Sequence, residues 1–447
     1  MLVVKGAPER VVALCEDALD ATGEPIPLDD GARRALLETA DRMAARGIRV
    51  LALARRTFSR PPADLEAAER GATLLALVGM RDPIRPEAAA SVARIRAAGI
   101  RLIMVSGDHP GTCAAIARET GLASPGSNLL TGDDLRARGL PADPLSVAVY
   151  ARVDPDQKLA LVHALQARGE IVAMTGDGVN DAPALRRADI GVAMGHRGSD
   201  VAREASDMVV TDDNLATIAT AVLEGRGIYD NIRKVVDYLI AGNLSEILVV
   251  LTGLFLFPEM GVPLLPLQLL WINLLTDGLP AIALGADAIH EGLMDHPPRR
   301  PDERLLGSSR VARLLGRGVL IAGVSIGSLA LARFLWEEPW ARARWLMFTV
   351  LVTAHLLYAF AARIPARASG RELLPSAPLL LAVCLGLGLQ ALIAAWPAAH
   401  GLFGASALGP REWALALGAG IIPAVIIAAE RSAAGPAGRD ARNAGTR

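Results

Sequence analysis

Two aspartates four positions apart, Asp177 and Asp181, stand around a turn containing Gly178 and Asn180 in the stretch MTGDGVNDAPAL (174–185), directly after the apolar run EIVAM. A carboxylate at a strand end beside glycines suits Mg²⁺, because glycine lets the backbone approach and aspartate supplies a hard oxygen ligand. Asp177 has that position. Asn180 and Asp181 open the next helix, where backbone N–H groups and an amide are placed to hold a phosphoryl group. Lys158, on the preceding helix, is placed to neutralise phosphoryl charge. Ser106 and Asp108, in VSGD (105–108), form a parallel turn one strand away, where a hydroxyl can contact a phosphoryl oxygen. The alternative reading of the same residues is two ordinary βα turns with aspartate caps.

A second constellation lies in apolar surroundings. Glu246 sits inside LIAGNLSEILVVL and Asp277 inside LLWINLLTDGLPAIAL. An ionisable side chain in mid-span costs about 2.5–3.5 kcal/mol on insertion scales, so its presence demands a reason. Asn243 and Glu246 are three apart, which places them on one helical face; Asn273, Thr276 and Asp277 are spaced three and four. Gly278 and Pro280 loosen the second helix and free carbonyls as further ligands. Two facing helices then offer two carboxylates, two amides and a hydroxyl. Such hard oxygen donors suit Ca²⁺ or Mg²⁺ rather than soft copper or zinc. Interhelical hydrogen-bond glue is the competing account; it explains the Asn and Thr residues better than the Glu–Asp pair.

The elements that position these residues follow from periodicity. DDGARRALLETADRMAARG (29–47) has apolar residues at helical spacing behind an Asp cap, IRVLALARRTF follows as a strand, and SRPPADLEAAERG reads as a Pro-rich connection and short helix. From about residue 73 a βα rhythm sets in: strands in TLLALVGM, IRLIMVSGD, VAVYARV, EIVAMTGDG, DIGVAM and SDMVVT, with helices between. Strands alternating with helices of this length imply a parallel sheet, and such sheets bind ligands at the carboxyl ends of their strands. Both acidic turns lie at such ends. Six membrane-spanning segments follow, at roughly 235–257, 264–285, 315–336, 343–362, 377–396 and 412–429. The boundaries expected are 1–72, 73–232, a membrane domain over 233–430, and a polar tail over 431–447.

With 447 residues the chain is too long for one ordinary core, and its mean hydropathy of +0.35 averages two unlike halves. A net charge of −1 excludes a nucleic-acid binder driven by bulk charge. Cys15, Cys113 and Cys384 have no paired spacing and read as reduced thiols. Met1 runs into LVVKGAPERVVALC, which lacks the pattern of a cleaved signal peptide. Of 46 lysines and arginines only Lys5, Lys158 and Lys234 are lysine, which marks each as a candidate for a site needing a compact ammonium. Arginines crowd the connections after the second and fourth spans and the tail, while the opposite loops are lean. Positive-inside logic therefore places the soluble half and the C-terminus in the cytoplasm of a multi-pass cell-membrane protein.

KGAPE, DPIR, VSGD, TGDGVNDAPAL and NLLTDGLPAIALG, in this order, resemble the C-terminal part of a P-type cation-transporting ATPase, most of all the calcium-pump branch. The resemblance runs from about residue 3 to 290, with matching hydropathy to 430. It implies a Rossmann-like, haloacid-dehalogenase-like α/β domain followed by an all-α bundle of six transmembrane helices, with ATP and Mg²⁺ as cofactors and Ca²⁺ as the favoured cargo. It implies that Lys5 lines the ATP site in the C-terminal part of a nucleotide-binding domain and that Arg49 contacts the nucleotide phosphates. Asp82 and Arg85 fall at the hinge and nucleotide contact. Ser106, Gly107 and Asp108 stand where the family has Thr-Gly-Asp. Lys158 meets the phosphoryl group, Asp177 ligates Mg²⁺, and Asn180 and Asp181 complete the phosphorylation pocket. Asn243, Glu246, Asn273, Thr276 and Asp277 become ligands of the transported cation.

The departures carry equal weight. The family phosphorylates an aspartate in Asp-Lys-Thr-Gly-Thr, yet the three lysines here follow Val4, Gln157 and Arg233, so no Asp-Lys dipeptide exists. The first four membrane helices and the actuator domain are not in the sequence. TGEP (22–25) resembles the actuator loop but lies in the nucleotide-domain stretch and reads as a decoy turn. His355 stands where calcium pumps with two sites carry a carboxylate, which favours one ion per cycle; a satisfied intramembrane hydrogen-bonder is the other reading of it. The expectations are an incomplete ATP-driven pump that relies on a separate N-terminal half, or a non-catalytic nucleotide- and Mg²⁺-binding membrane protein that regulates a partner pump. A phosphatase fused to a channel-like bundle fails for want of a nucleophilic aspartate on the first strand.

Overall fold

A computed structural model describes residues 1–46, 48–58, 68–80, 83–124, 126–299, 303, 305–364 and 375–433. The chain divides into two compact units: Met1–Leu223 with Glu291–Pro301, and Glu224–His290 with Asp302–Arg447.

In the first unit a five-stranded mixed sheet comes first in sequence. Its strands are β1 (Leu2–Gly6), β2 (Cys15–Leu19), β3 (Pro25–Pro27), β4 (Arg49–Arg56) and β5 (Ala72–Met80), in the order β1-β4-β5-β2-β3. Val11, Val12, Cys15, Ala52, Ala54 and Leu74 form its core. The helix Asp30–Ala44 begins where Asp29 accepts the Ala32 N–H at 2.7 Å, as its cap position requires. The short helix expected within SRPPADLEAAERG falls mainly on residues outside those described. TGEP turns the chain between β2 and β3, and Asp20 Oδ1 accepts from the Thr22 and Glu24 N–H groups across that turn.

One expectation needs correction. The strand TLLALVGM does not open the βα rhythm. As β5 it pairs antiparallel with β4 and parallel with β2, so the first sheet extends to Met80. The parallel rhythm starts after it, with β6 (Met104–Val105), β7 (Asn128–Thr131), β8 (Val147–Ala151), β9 (Ala173–Gly176), β10 (Ile190–Met194) and β11 (Met208–Val210). These form two parallel three-stranded sheets, in the orders β6-β8-β7 and β11-β10-β9. Strand β7 has no counterpart in the sequence reading. Strand β6 is far shorter than IRLIMVSGD suggests, because it is an edge strand paired on one side only. The two edges β6 and β9 are the strands that lead into the two acidic turns. Cys15 and Cys113 are buried free thiols, and burial pushes the Cys113 thiol up to about 11, which keeps it protonated near neutrality.

The second unit holds helices long and apolar enough to cross a membrane. Six candidates lie at Leu215–Leu256, Pro266–Gly285, Ser308–Leu335, Trp340–Arg363, Ala377–Ala395 and Pro410–Glu430, matching the six expected spans. The fourth is almost wholly buried and forms the centre, with Trp345, Phe348, Leu351 and Tyr358 inside. Close approach of the sixth span to it depends on Gly420, where a Cβ would stand 2.6 Å from Thr353 Cγ2. The second span is not a regular helix. Ile272–Thr276 forms a π turn in which Asp277 N–H donates to Ile272 O at 2.8 Å. Pro280 has no N–H to give to Thr276 O, and Tyr238 Oη donates to that carbonyl instead at 3.1 Å. The loosening expected around Gly278 and Pro280 therefore appears one turn earlier, immediately before Asp277.

Candidate functional site

Asp181 is the keystone of the acidic turn. Its Oδ1 accepts from Lys158 Nζ at 2.6 Å, and the two side chains are 11% and 13% exposed. Its Oδ2 accepts the N–H groups of Gly178 at 3.1 Å and Asp177 at 3.3 Å. Gly176 makes this fold-back possible, because a Cβ there would stand 2.6 Å from Asp181 Cβ. Asp177 differs. Its side chain is exposed, and its carboxylate makes no hydrogen bond or ion pair among the described residues; only its backbone carbonyl is engaged, by the Ser199 N–H at 2.8 Å. Asn180 is also exposed. The turn thus separates two roles that the sequence left merged: one aspartate locks the loop and the lysine, and the other presents free oxygens.

The neighbouring turn is held by its own side chains and by the segment that follows β8. Ser106 Oγ donates to Asp108 Oδ2 at 3.2 Å and accepts the Asp108 N–H at 3.1 Å. Ser106 O and Asp108 O accept the N–H groups of Val153 and Arg152, both at 3.1 Å. These bonds join the turn to the segment that leads into helix Pro155–Ala167, from which Lys158 reaches Asp181. Gly107 is exposed. Arg49 Nη1 lies 3.8 Å from Asp108 Oδ1, so this expected phosphate contact reaches the acidic turn region from β4. Lys5 is exposed on β1 opposite Leu53. Arg85 is exposed and donates to Asp212 O at 3.2 Å. Asp82 lies outside the described residues. Of the three lysines, Lys234 is the structural one: it is buried and pairs with Asp230 and Asp287, and Asp287 also takes Arg363 Nε at 2.9 Å.

Within the membrane helices, Glu246, Asp277 and His355 converge, and one ligand atom from each lies within 4.8 Å of the others. Their exposures are 5%, 2% and 0%. His355 Nδ1 is 3.2 Å from Asp277 Oδ1, and its Nε2 is 2.8 Å from Ser245 Oγ. Tyr238 Oη also donates to Asp277 Oδ1, at 3.4 Å. Glu246 Oε1 and Asp277 Oδ2 are buried with no hydrogen-bond partner, an expensive condition for charged oxygens in this environment. Thr276 is buried beside Asp277.

The expected amides are placed differently. Asn243 is exposed, because the buried stripe of the first span runs through Tyr238, Gly242, Ser245 and Glu246. Asn273 is exposed too; it donates to Leu269 O at 2.9 Å and adjoins Glu246. Sequence reasoning missed Tyr238, Gly242 and Ser245. Their spacing of four and three was the available signal, since it aligns them with the face of Glu246.

Residues 4–189 match the haloacid dehalogenase-like hydrolase family, as do 158–222, and residues 261–433 match the C-terminal region of cation-transporting ATPases. A calcium-transporting ATPase of Bacillus subtilis is 38% identical over 432 residues, covering 96% of this chain and 48% of its own length. A probable cation-transporting ATPase F of Mycobacterium tuberculosis is 42% identical over 388 residues, covering 83% and 41%. The endoplasmic reticulum calcium ATPase srcA of Aspergillus fumigatus is 41% identical over 345 residues, covering 73% and 35%. The chain thus spans about half the length of the curated relatives it matches. With a haloacid-dehalogenase-like domain followed by six membrane-spanning helices, the chain belongs to the P-type cation-transporting ATPase family, of which it carries the C-terminal portion.

Proposed function

We propose that this chain is the C-terminal portion of an ATP-driven pump that exports a divalent cation, Ca²⁺ or a similar ion, through an aspartyl-phosphate cycle. The observation that carries the reading is the membrane cluster: two carboxylates from different spans, each with a buried oxygen left without a partner, point to a cation. The printed names of the calcium-transporting relatives support Ca²⁺.

In the soluble unit the free oxygens of Asp177, flanked by glycines at a strand end, fit Mg²⁺, which supplies charge screening for a phosphoryl group when bound. Asp181 holds Lys158 and orders the amides of the turn. We assign Ser106, Gly107, Asp108 and Asn180 to the approach of the phosphoryl group, and Lys5, Arg49, Asp82 and Arg85 to nucleotide contact. The phosphorylated aspartate comes from the remainder of the pump. That assignment is supported by the lack of an Asp-Lys dipeptide and by the two open sheet edges, β6 and β9, which lead into the acidic turns. The arginine-rich connections support a cytoplasmic location for the soluble unit and the C-terminus.

The test is phosphoenzyme formation from radiolabelled ATP. The chain alone should take up no label, and the assembled pump should. Asp177→Asn in the assembled pump should abolish Mg²⁺-dependent labelling; labelling at the wild-type level would remove Asp177 from this role.

A further inference from the structure

The hydrogen bonds around His355 fix which of its nitrogens is available. Ser245 Oγ lies 2.7 Å from Gly242 O, and only the hydroxyl proton can make that bond. Ser245 therefore has no proton left for His355 and accepts from Nε2–H at 2.8 Å. In the neutral ring this leaves Nδ1 as a bare lone pair, directed at Asp277 Oδ1 3.2 Å away. A lone pair facing a carboxylate, with a second carboxylate in the same cluster, is a repulsive arrangement unless a positive centre, either a proton on Nδ1 or a cation in its place, sits among them. An acceptor on the far nitrogen is also the usual way in which a metal-ligating histidine is oriented.

No side chain of the first span fills the cluster at its closest approach. Gly242 carries no side chain where a Cβ would lie 3.4 Å from Asp277 Oδ2 and 3.3 Å from His355 Cε1. The two unpartnered oxygens belong to this same cluster. We propose that His355 Nδ1 is a direct ligand of the transported ion. On this reading Glu246, Asp277 and His355 form a mixed oxygen–nitrogen site that prefers a first-row transition cation of the Mn²⁺-to-Zn²⁺ class over Ca²⁺. Imidazole nitrogen stabilises those cations and adds little for Ca²⁺, which favours all-oxygen shells. The inference rests on the proposal that Glu246 and Asp277 bind a divalent cargo, and narrows that cargo from Ca²⁺ or a similar ion to the transition-metal end of the class.

The experiment uses the full chain in detergent, with Mn²⁺ as probe. Pulsed electron paramagnetic resonance should show modulation from a directly bound ¹⁴N, a signal that the oxygen donors of the acidic turn do not produce. His355→Gln should remove it, and Ca²⁺ should abolish it in the wild type only at about tenfold or greater excess over Mn²⁺. His355→Glu restores an oxygen shell and should reverse the preference, so radioactive Ca²⁺ binding by that variant provides a second readout if the Gln variant misfolds. Absence of ¹⁴N modulation in the wild type, with Ca²⁺ binding that is lost in Glu246→Gln, would overturn the nitrogen ligand and leave the cargo site standing. Ca²⁺ and Mn²⁺ binding both unaffected by Glu246→Gln and Asp277→Asn would overturn the cargo site itself, and this inference with it.

Discussion

Asp181 and Asp277 are both buried aspartates, each facing a nitrogen base, yet they are built for opposite ends. Every oxygen of Asp181 is engaged: Lys158 takes one, and the Asp177 and Gly178 N–H groups take the other. Asp277 has one oxygen that takes the Tyr238 hydroxyl and faces His355, and a second that is bare beside the equally bare Glu246 Oε1. A saturated carboxylate holds structure together, because removing it strands its partners. An unsaturated pair stores unfavourable electrostatics that a ligand can relieve. Burial alone does not separate the two cases; counting partners does.

The largest effect expected from this contrast is at the saturated end. Asp181→Ala leaves a nearly buried ammonium and two turn amides without acceptors. Breaking a buried pair from one side costs roughly 3–5 kcal/mol. Urea titration of the full chain should show that loss in the soluble unit, and the amides of Asp177 and Gly178 should exchange faster with deuterium. Stability within 1 kcal/mol of wild type would mean that Asp181 is not a clamp, and the contrast with Asp277 would collapse.

Gly176→Ala sharpens the same point by steric means. The added methyl would meet Asp181 Cβ at 2.6 Å and Cγ at 2.9 Å, so the aspartate must move off its three donors or the turn must shift. Overpacking of this kind costs about 1–3 kcal/mol, less than deleting the carboxylate. A loss as large as that of Asp181→Ala would show that the backbone of the turn, and not the carboxylate, is the rigid element.

How much of this was legible in sequence differs between the two centres for a physical reason. The acidic turn sits in a local pattern, strand then Gly-Asp-Gly then helix, so the place of Asp177 and Asp181 at a strand end could be read directly. Their division of labour could not, because it depends on a lysine 23 residues upstream reaching one oxygen and not another. β5 was assigned to the parallel rhythm because its partners β4 and β2 are distant in sequence and periodicity does not reveal pairing. β7 escaped because NLLT is short and begins with a polar residue. In the membrane, the rarity of mid-span charge flagged Glu246 and Asp277. The residues that surround them, Gly242, Ser245 and His355, are small or ambiguous in sequence, and their placement appears only when three spans meet.

The smallest stability effect, and the most discriminating one, belongs to Asp277→Asn. The amide keeps an oxygen to accept from Tyr238, and it removes one of two negative charges whose nearest oxygens share a buried cluster. Without divalent cation, in the presence of chelator, the thermal midpoint of the chain in detergent should stay level or rise, with a change in stability of about 1 kcal/mol or less. The wild type should gain stability when cation is added, by about 2.7 kcal/mol at a hundredfold excess over its dissociation constant, and the variant should not. A variant that unfolds without cation as Asp181→Ala does would make Asp277 a second clamp, with its bare oxygen satisfied by some other route. A variant of ordinary stability that has lost only the response to cation would confirm that the unpaired oxygens exist for the ion and contribute nothing to holding the helices together.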